Sequence, residues 1–217
     1  MTRKEQKEER RKAILMTALT LFVERGYYDT KITDIAAAVP MSTGLMFHYF
    51  ESKEELLLEL VKMGAAGTRS AASGVAQTGL ASDADQSEVA TGTRASGAPA
   101  QDGILQIPPD IYLTKFLGQL FAYAKEQPWV FNMFVLMGQV RRAGMPEEAR
   151  KVALSVTSID DTAALILAGQ KQGVFHEGDA KLMSRCFWAS VQGVMEEMAM
   201  DKEMKAPDPA WIVGMLK

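Results

Sequence analysis

Only one cysteine, Cys186, and two histidines, His48 and His176, occur in the 217 residues. No intrachain disulfide can form, which suits a reducing cytosol, and a cytoplasmic location is predicted. So few scattered donors do not make a structural metal site, and no metal is expected. Long apolar runs are missing too: none approaches the ~18 residues of a membrane span, so no membrane partner is predicted. The amino-terminal dozen residues hold Arg3, Lys4, Lys7, Arg10, Arg11 and Lys12 without an apolar stretch, which does not read as a signal peptide. No segment alternates apolar and polar residues over a useful length, so the predicted fold class is all-α. A nucleophile–base pair, a Gly-rich phosphate loop and a metal cluster are all lacking; no catalytic residue, no enzymatic activity and no cofactor are expected.

The chain is 47% hydrophobic, enough for a sizeable core, and carries a net charge of −3. That charge argues weakly against nucleic acid, because phosphate neutralisation needs local positive charge. A basic face on an otherwise acidic protein meets that need. The interleaved Arg3–Lys12 segment reads equally well as a solvated helix face with i, i+4 ion pairs or as an arm that reaches phosphates.

Helical signals come early. Ile14, Ala18, Leu21 and Phe22 form one stripe of a helix from about Glu5 to Arg25, ended by Gly26. A short second helix begins near Thr30 or Lys31 and holds Ile35, Ala36 and Val39. Pro40 turns the chain by disfavouring a helical Val39. Ser42 and Ser52 are suited to cap a third and a fourth helix. Glu54 and Glu55 in the first turn of the fourth favour its dipole.

Residues 64–107 differ. Gly, Ala, Ser and Thr fill 27 of these 44 positions and no aromatic occurs. Such a stretch buries little surface against its ordering entropy and predicts a linker or long loop; the alternative is that its start prolongs the fourth helix. Aromatics and methionines return over 108–217. Helices are predicted over Ile111–Ala124, from Pro128 to about Arg142, along a single long stripe Val152–Ile166 ending near Gly173, after an Asp179 cap, and after Pro207 and Pro209. Phe116, Phe134, Met137, Trp188, Gln192 and Met195 lie on helices that would face one another in a bundle, and they are the predicted pocket for a small apolar or aromatic effector. Gly193, mid-helix, costs roughly 1 kcal/mol against alanine, which the close approach of a second helix would offset.

The run from Ser42 to Lys53 is the most informative. Met46 and Phe50, spaced i, i+4, are the inward pair. Phe47, His48 and Tyr49 are successive, so at about 100° per residue they cannot all face inward. Two short helices joined by a tight turn, the second with a polar-aromatic outer face, form a helix-turn-helix arrangement. Thr43 and Leu45 would sit where hydroxyl and methyl groups can meet bases, Gly44 would let the helix start approach a backbone, and Lys53 could meet a phosphate.

These residues carry a resemblance. Phe22-x3-Gly26-Tyr27-x2-Thr30, Asp34-Ile35-Ala36, and Ser42-x-Gly44-Leu45-x2-His48-Tyr49-Phe50-x-Ser52-Lys53-Glu54-Glu55-Leu56 resemble the DNA-binding domain of tetracycline-repressor (TetR) family transcriptional regulators over about residues 8–60. The resemblance implies an all-helical homodimer, with a helix-turn-helix domain at 1–50 and a ligand-binding and dimerisation domain at 51–217. It implies a ligand-responsive regulator of transcription, a repressor released from a palindromic double-stranded operator by a small-molecule effector. Thr33, Ser42, Thr43, Gly44, Leu45, Phe47, His48, Tyr49 and Lys53 fall on the DNA-facing positions. Two departures stand out: Pro40 where the family usually has glycine, and Phe47 where tyrosine is commoner. They motivate the alternative of a small-molecule-binding helical protein with weakened or lost DNA binding.

Overall fold

The computed structural model describes residues 2–77, 107–156 and 158–217, with the backbone alone for 68–77. All regular structure among the described residues is helical: α1 (Arg3–Arg25), α2 (Ile32–Ala38), α3 (Thr43–Met46), α4 (Lys53–Gln77), α5 (Pro109–Glu126), α6 (Trp129–Val140), α7 (Glu147–Leu154), α8 (Ser158–Lys171), α9 (Ala180–Met200) and α10 (Pro209–Gly214).

Local chemistry explains where the front helices start and stop. Thr2 Oγ1 accepts from the Glu5 N–H (3.2 Å) while Glu5 Oε2 accepts from the Thr2 N–H (2.7 Å), a reciprocal cap that starts α1 two residues earlier than expected. Gly26, at φ 86°, ends it. Ser42 Oγ accepts from the Leu45 N–H at 3.2 Å, and Ser52 Oγ from the Glu55 N–H at 3.1 Å, so both predicted serine caps form.

Two cores result. The first joins Ile14, Ala18, Phe22, Ile35, Met46, Phe50, Leu56, Leu57 and Leu60 with Leu136 and Val140 of α6 and Ala149 and Ala153 of α7. The front helices therefore pack on the rear bundle without an intervening gap. The boundary expected after Phe50 cuts through this cluster, because the first turns of α4 belong to it. The second core gathers Leu113, Leu117 and Phe121 of α5, Ile166 of α8, Phe187, Val191 and Met195 of α9, and Ile212 and Leu216 at the end of the chain.

Three expectations change. Residues 64–77 follow the alternative reading and are helical: α4 continues past Met63 to Gln77, and residues 78–106 lie outside the described residues. The long helix expected through Val152 and Ile166 is divided into α7 and α8. At the break, the Ser155 hydroxyl donates to the Val152 carbonyl (2.9 Å) and its N–H to Lys151 and Val152 (both 3.1 Å), which closes α7 locally. Third, an 18-residue window within Glu147–Lys171 reaches a mean hydropathy of 1.4, membrane-like by composition. In the fold this segment is the α7–α8 pair, packed on α4 and α9.

Candidate nucleic-acid interface and effector pocket

In the front unit, Met46 and Phe50 point inward, 0% and 1% exposed, and anchor α3 against α1 and α2. Their neighbours face out: Ser42, Gly44, Leu45, Phe47 and His48 are exposed, as is Thr33 on α2, while Thr43 and Tyr49 are half-buried. Leu45 at 36% and Phe47 at 49% exposure are apolar side chains with no covering element. Helix α3 is a single turn. After it, His48 and Tyr49 donate to the Leu45 and Met46 carbonyls (3.1 and 2.9 Å), i→i+3 bonds that tighten the chain and fan the aromatic side chains outward. Beside this face, Arg3, Lys7 and Arg10 of α1 line an open groove whose other wall includes Val39 and Tyr49. The amino-terminal basic residues thus stand next to α3.

Lys53 differs from the expectation of a phosphate-binding ammonium on the outer face. Its Nζ donates to the carbonyls of Tyr27 (2.9 Å) and Thr30 (2.9 Å) and lies 4.3 Å from the centre of the Tyr27 ring. It ties the start of α4 to the α1–α2 loop. The Tyr27 hydroxyl, in a residue only 4% exposed, donates to Glu54 Oε1 at 2.9 Å. Burial and the adjacent Glu54 carboxylate push the Tyr27 pKa far up, and hydrogen bonds to backbone and Tyr27 hold Glu54 below its usual value. Arg11 completes the brace with a 2.8 Å ion pair to Glu59 and its guanidinium 4.9 Å from the Phe50 ring centre. The sequence pattern marks Lys53 but not its inward target, which requires the fold to bring residues 27 and 30 beneath it.

The turn between α2 and α3 is strained. The Met41 N–H donates to the Ala36 carbonyl (3.0 Å), the outer bond of a Schellman ending of α2. The residue inside that ending is Pro40, at φ 22°. A pyrrolidine ring favours φ near −65°, and proline has no N–H for the inner bond of the motif. Proline thus occupies a glycine-type position with strain on one count and a lost hydrogen bond on the other.

In the rear bundle a cavity of about 230 Å³ opens between α4, α5, α6 and α9 and the start of α8. Phe116, Phe134, Met137, Trp188 and Gln192, five of the predicted pocket residues, line it. Met195 does not: it is fully buried in the second core, on the Phe187–Val191–Met195 stripe of α9, whereas Trp188 and Gln192 occupy the neighbouring stripe that faces the cavity. Trp188 is fixed by Nε1 donating to Thr162 Oγ1 (2.9 Å) and the Ser158 carbonyl (3.1 Å), and by edge-on contact with Phe116. Gln192 Nε2 donates to the Phe134 carbonyl (2.8 Å) and Glu196 Oε1 (2.7 Å). The α4 wall is Met63, Gly64 and Gly67. A Cβ on Gly64 would lie 2.8 Å from Met133 Sδ, so glycine here lets α4 and α6 approach. Composition that suggests a linker instead shapes a cavity wall. Arg141, which carries no signal in the sequence, is the one charged residue lining the cavity among the described residues.

Residues 14–60 match the family described as bacterial regulatory proteins, tetR family. Over these residues the front unit is of the tetR type. Over 55 residues it is 46% identical to the HTH-type transcriptional regulator HbdR of Aromatoleum sp. (strain CIB), covering 25% of this chain and 24% of that protein. Over 56 residues it is 41% identical to the HTH-type transcriptional repressor KstR2 of Rhodococcus jostii (strain RHA1), covering 26% and 28%. These matches span about a quarter of each relative's length. The whole fold is similar to that of AibR, solved with isovaleryl coenzyme A and operator DNA: TM-score 0.66, 20% identity, covering 95% of this chain and 97% of that one. At that identity the likeness speaks for the TetR architecture, a helix-turn-helix domain with a helical carboxy-terminal domain, and not for a shared ligand.

Proposed function

We propose that this chain is a ligand-responsive, sequence-specific DNA-binding regulator of transcription, acting as a cytoplasmic homodimer and released from a palindromic operator by a small-molecule effector. Gly44 carries the reading of the DNA face. A glycine in a helix costs roughly 1 kcal/mol against alanine, yet a Cβ at Gly44 would meet nothing within 4 Å. Folding does not require glycine there; the close approach of an external backbone does. Around it Thr33, Ser42, Thr43, Leu45, Phe47, His48 and Tyr49 form the base- and phosphate-facing surface, with Arg3, Lys7 and Arg10 as the phosphate rail. Lys53 acts by holding α4 and the α1–α2 loop in place.

The homodimer reading rests on the outward face of α9. A Cβ at Gly193 would also meet nothing within 4 Å, and Leu182 is 59% exposed on the same helix. A second copy packing there would account for both. The effector reading rests on the aromatic-lined cavity between the bundle helices.

The test is fluorescence anisotropy of the full chain on labelled duplexes, one from the region upstream of its own gene and one unrelated, across 50–200 mM salt. Tight binding to the first, weakening steeply with salt, is expected. Lys7→Ala or Arg10→Ala should weaken binding to every sequence and reduce the salt slope by about 1, while Leu45→Ala should alter sequence preference. The strained Pro40 favours a second reading, a helical small-molecule binder without DNA affinity. Absence of salt-dependent binding to any duplex would establish it against the first.

A further inference from the structure

We infer that the bundle cavity takes an amphipathic anion, a short apolar body ending in a carboxylate or phosphate that Arg141 receives. The inference rests on reading this cavity as the effector site. The lining of the described cavity is almost wholly apolar: Met63, Phe116, Val130, Met133, Phe134, Ile159 and their neighbours. Trp188 and Gln192 also line it, but their side-chain N–H groups already have partners within the protein, and Tyr123 and Ser158 add two uncharged hydroxyls.

Arg141 is different. It caps the end of α6, its Nε donates to the Ala153 carbonyl at 3.3 Å, and no carboxylate pairs with it among the described residues. The nearest acids in sequence, Glu147 and Glu148, are held by Lys151 at 2.9 and 3.1 Å. Arg150 adds a second cation at the same corner, its Nε donating to the Arg141 carbonyl at 3.2 Å. Although Arg141 is exposed as a whole, burial on one side pushes its pKa below the usual arginine value. A guanidinium presents five donors in a fork that matches carboxylate and phosphate oxygens, and among the described residues only Nε of Arg141 has a partner. An apolar body in the cavity would leave its anionic end at this fork.

The size constrains the body. At about 30 Å³ for each water-sized group, a volume of about 230 Å³ holds roughly eight such groups. A single ring or a chain of about eight carbons fits this space.

Octanoate, octyl phosphate, 1-octanol and octylamine share one tail and differ in head. Trp129 and Trp188 both line the cavity, so their fluorescence, checked by calorimetry, reports occupancy. An octyl anion should bind at least about tenfold more tightly than octanol, and octylamine most weakly. The better of octanoate and octyl phosphate identifies the head group. Arg141→Gln should bring the octyl anion down to the affinity of octanol; Arg141→Lys should keep part of the preference, and a thermal melt of each variant establishes that it is folded. Equal binding of anion and alcohol by the wild type, or a preference that survives in Arg141→Gln, overturns the inference and leaves the cavity as an effector site. Failure of all four probes to bind the folded wild type overturns the effector site and the inference with it.

Discussion

In the front unit the side chains proposed to meet DNA point outward; in the rear bundle those proposed to meet an effector point inward. Around α3, Leu45, Phe47 and His48 are displayed on a one-turn helix held from behind by Met46 and Phe50. Around the cavity, Phe116, Trp188 and Gln192 are held between helices by packing and hydrogen bonds to α6 and α8. A displayed surface is specified by a compact run of residues, because local caps and one helical period place it. An enclosed surface is specified by helices far apart in sequence, and many side-chain combinations can enclose a similar space. This difference accounts for a family match confined to residues 14–60, and for a whole-chain likeness seen at 20% identity.

The comparison can be broken most severely at the shared core. Leu136 belongs to α6 yet is fully buried in the front cluster. Leu136→Ala should cost about 2–5 kcal/mol and shift a single unfolding transition in urea. Helical circular dichroism and tryptophan fluorescence should move together, since Trp129, Trp188 and Trp211 all lie in the rear half. Two separate transitions would show that front and rear unfold independently.

A smaller effect, of opposite sign, is expected at the α2–α3 turn. Pro40→Gly relieves a positive φ and restores an N–H to the Schellman ending. Strain of this kind is worth on the order of 1–3 kcal/mol, and glycine returns roughly 0.5–1 kcal/mol as unfolded-chain entropy. A net gain of about 1–2 kcal/mol should raise the melting temperature by several degrees. An unchanged or lower melting temperature would mean that the turn is relaxed around proline.

The smallest effect is confined to alkaline solution and separates the halves directly. Tyr27 in front and Tyr112 behind both have pKa values raised above the ordinary 10.0, each chiefly by burial. A raised folded pKa means that the folded state keeps its proton longer. The associated stability is present below pH 10 and lost as pH rises through the folded value. Tyr27→Phe should flatten part of the decline in urea stability above pH 10, and Tyr112→Phe a further part. A slope that neither substitution changes would place its origin elsewhere.

The front helices were readable from sequence because their boundaries are made locally. Ser42, Ser52 and Gly26 each act within a few residues, and the Met46–Phe50 spacing alone assigns the inward face. Reading failed where a contact crosses the chain. Lys53 reads from the sequence as a cation that can meet a phosphate, and nothing local reveals the carbonyls of Tyr27 and Thr30 that the fold brings beneath it. Met195 and Gln192 lie on one helix within three residues of each other, and only the position of α6 decides which faces the cavity. Gly64 and Gly67 share a composition with the stretch that follows, and packing of α4 against α6 makes them part of a helix. Ser155 interrupts an apolar stripe that continues on both sides, so periodicity passed over the break.

Helical structure and a TetR-type front unit, including which face of α3 is buried, follow from the sequence alone, because helix periodicity and caps are short-range properties of consecutive residues. Three outcomes came only with the packed fold: Lys53 braces the unit, α4 extends into the Gly/Ala-rich segment as far as Gln77, and an apolar cavity has Arg141 at its edge. Those outcomes depend on helices that meet only when distant segments bury their apolar faces together.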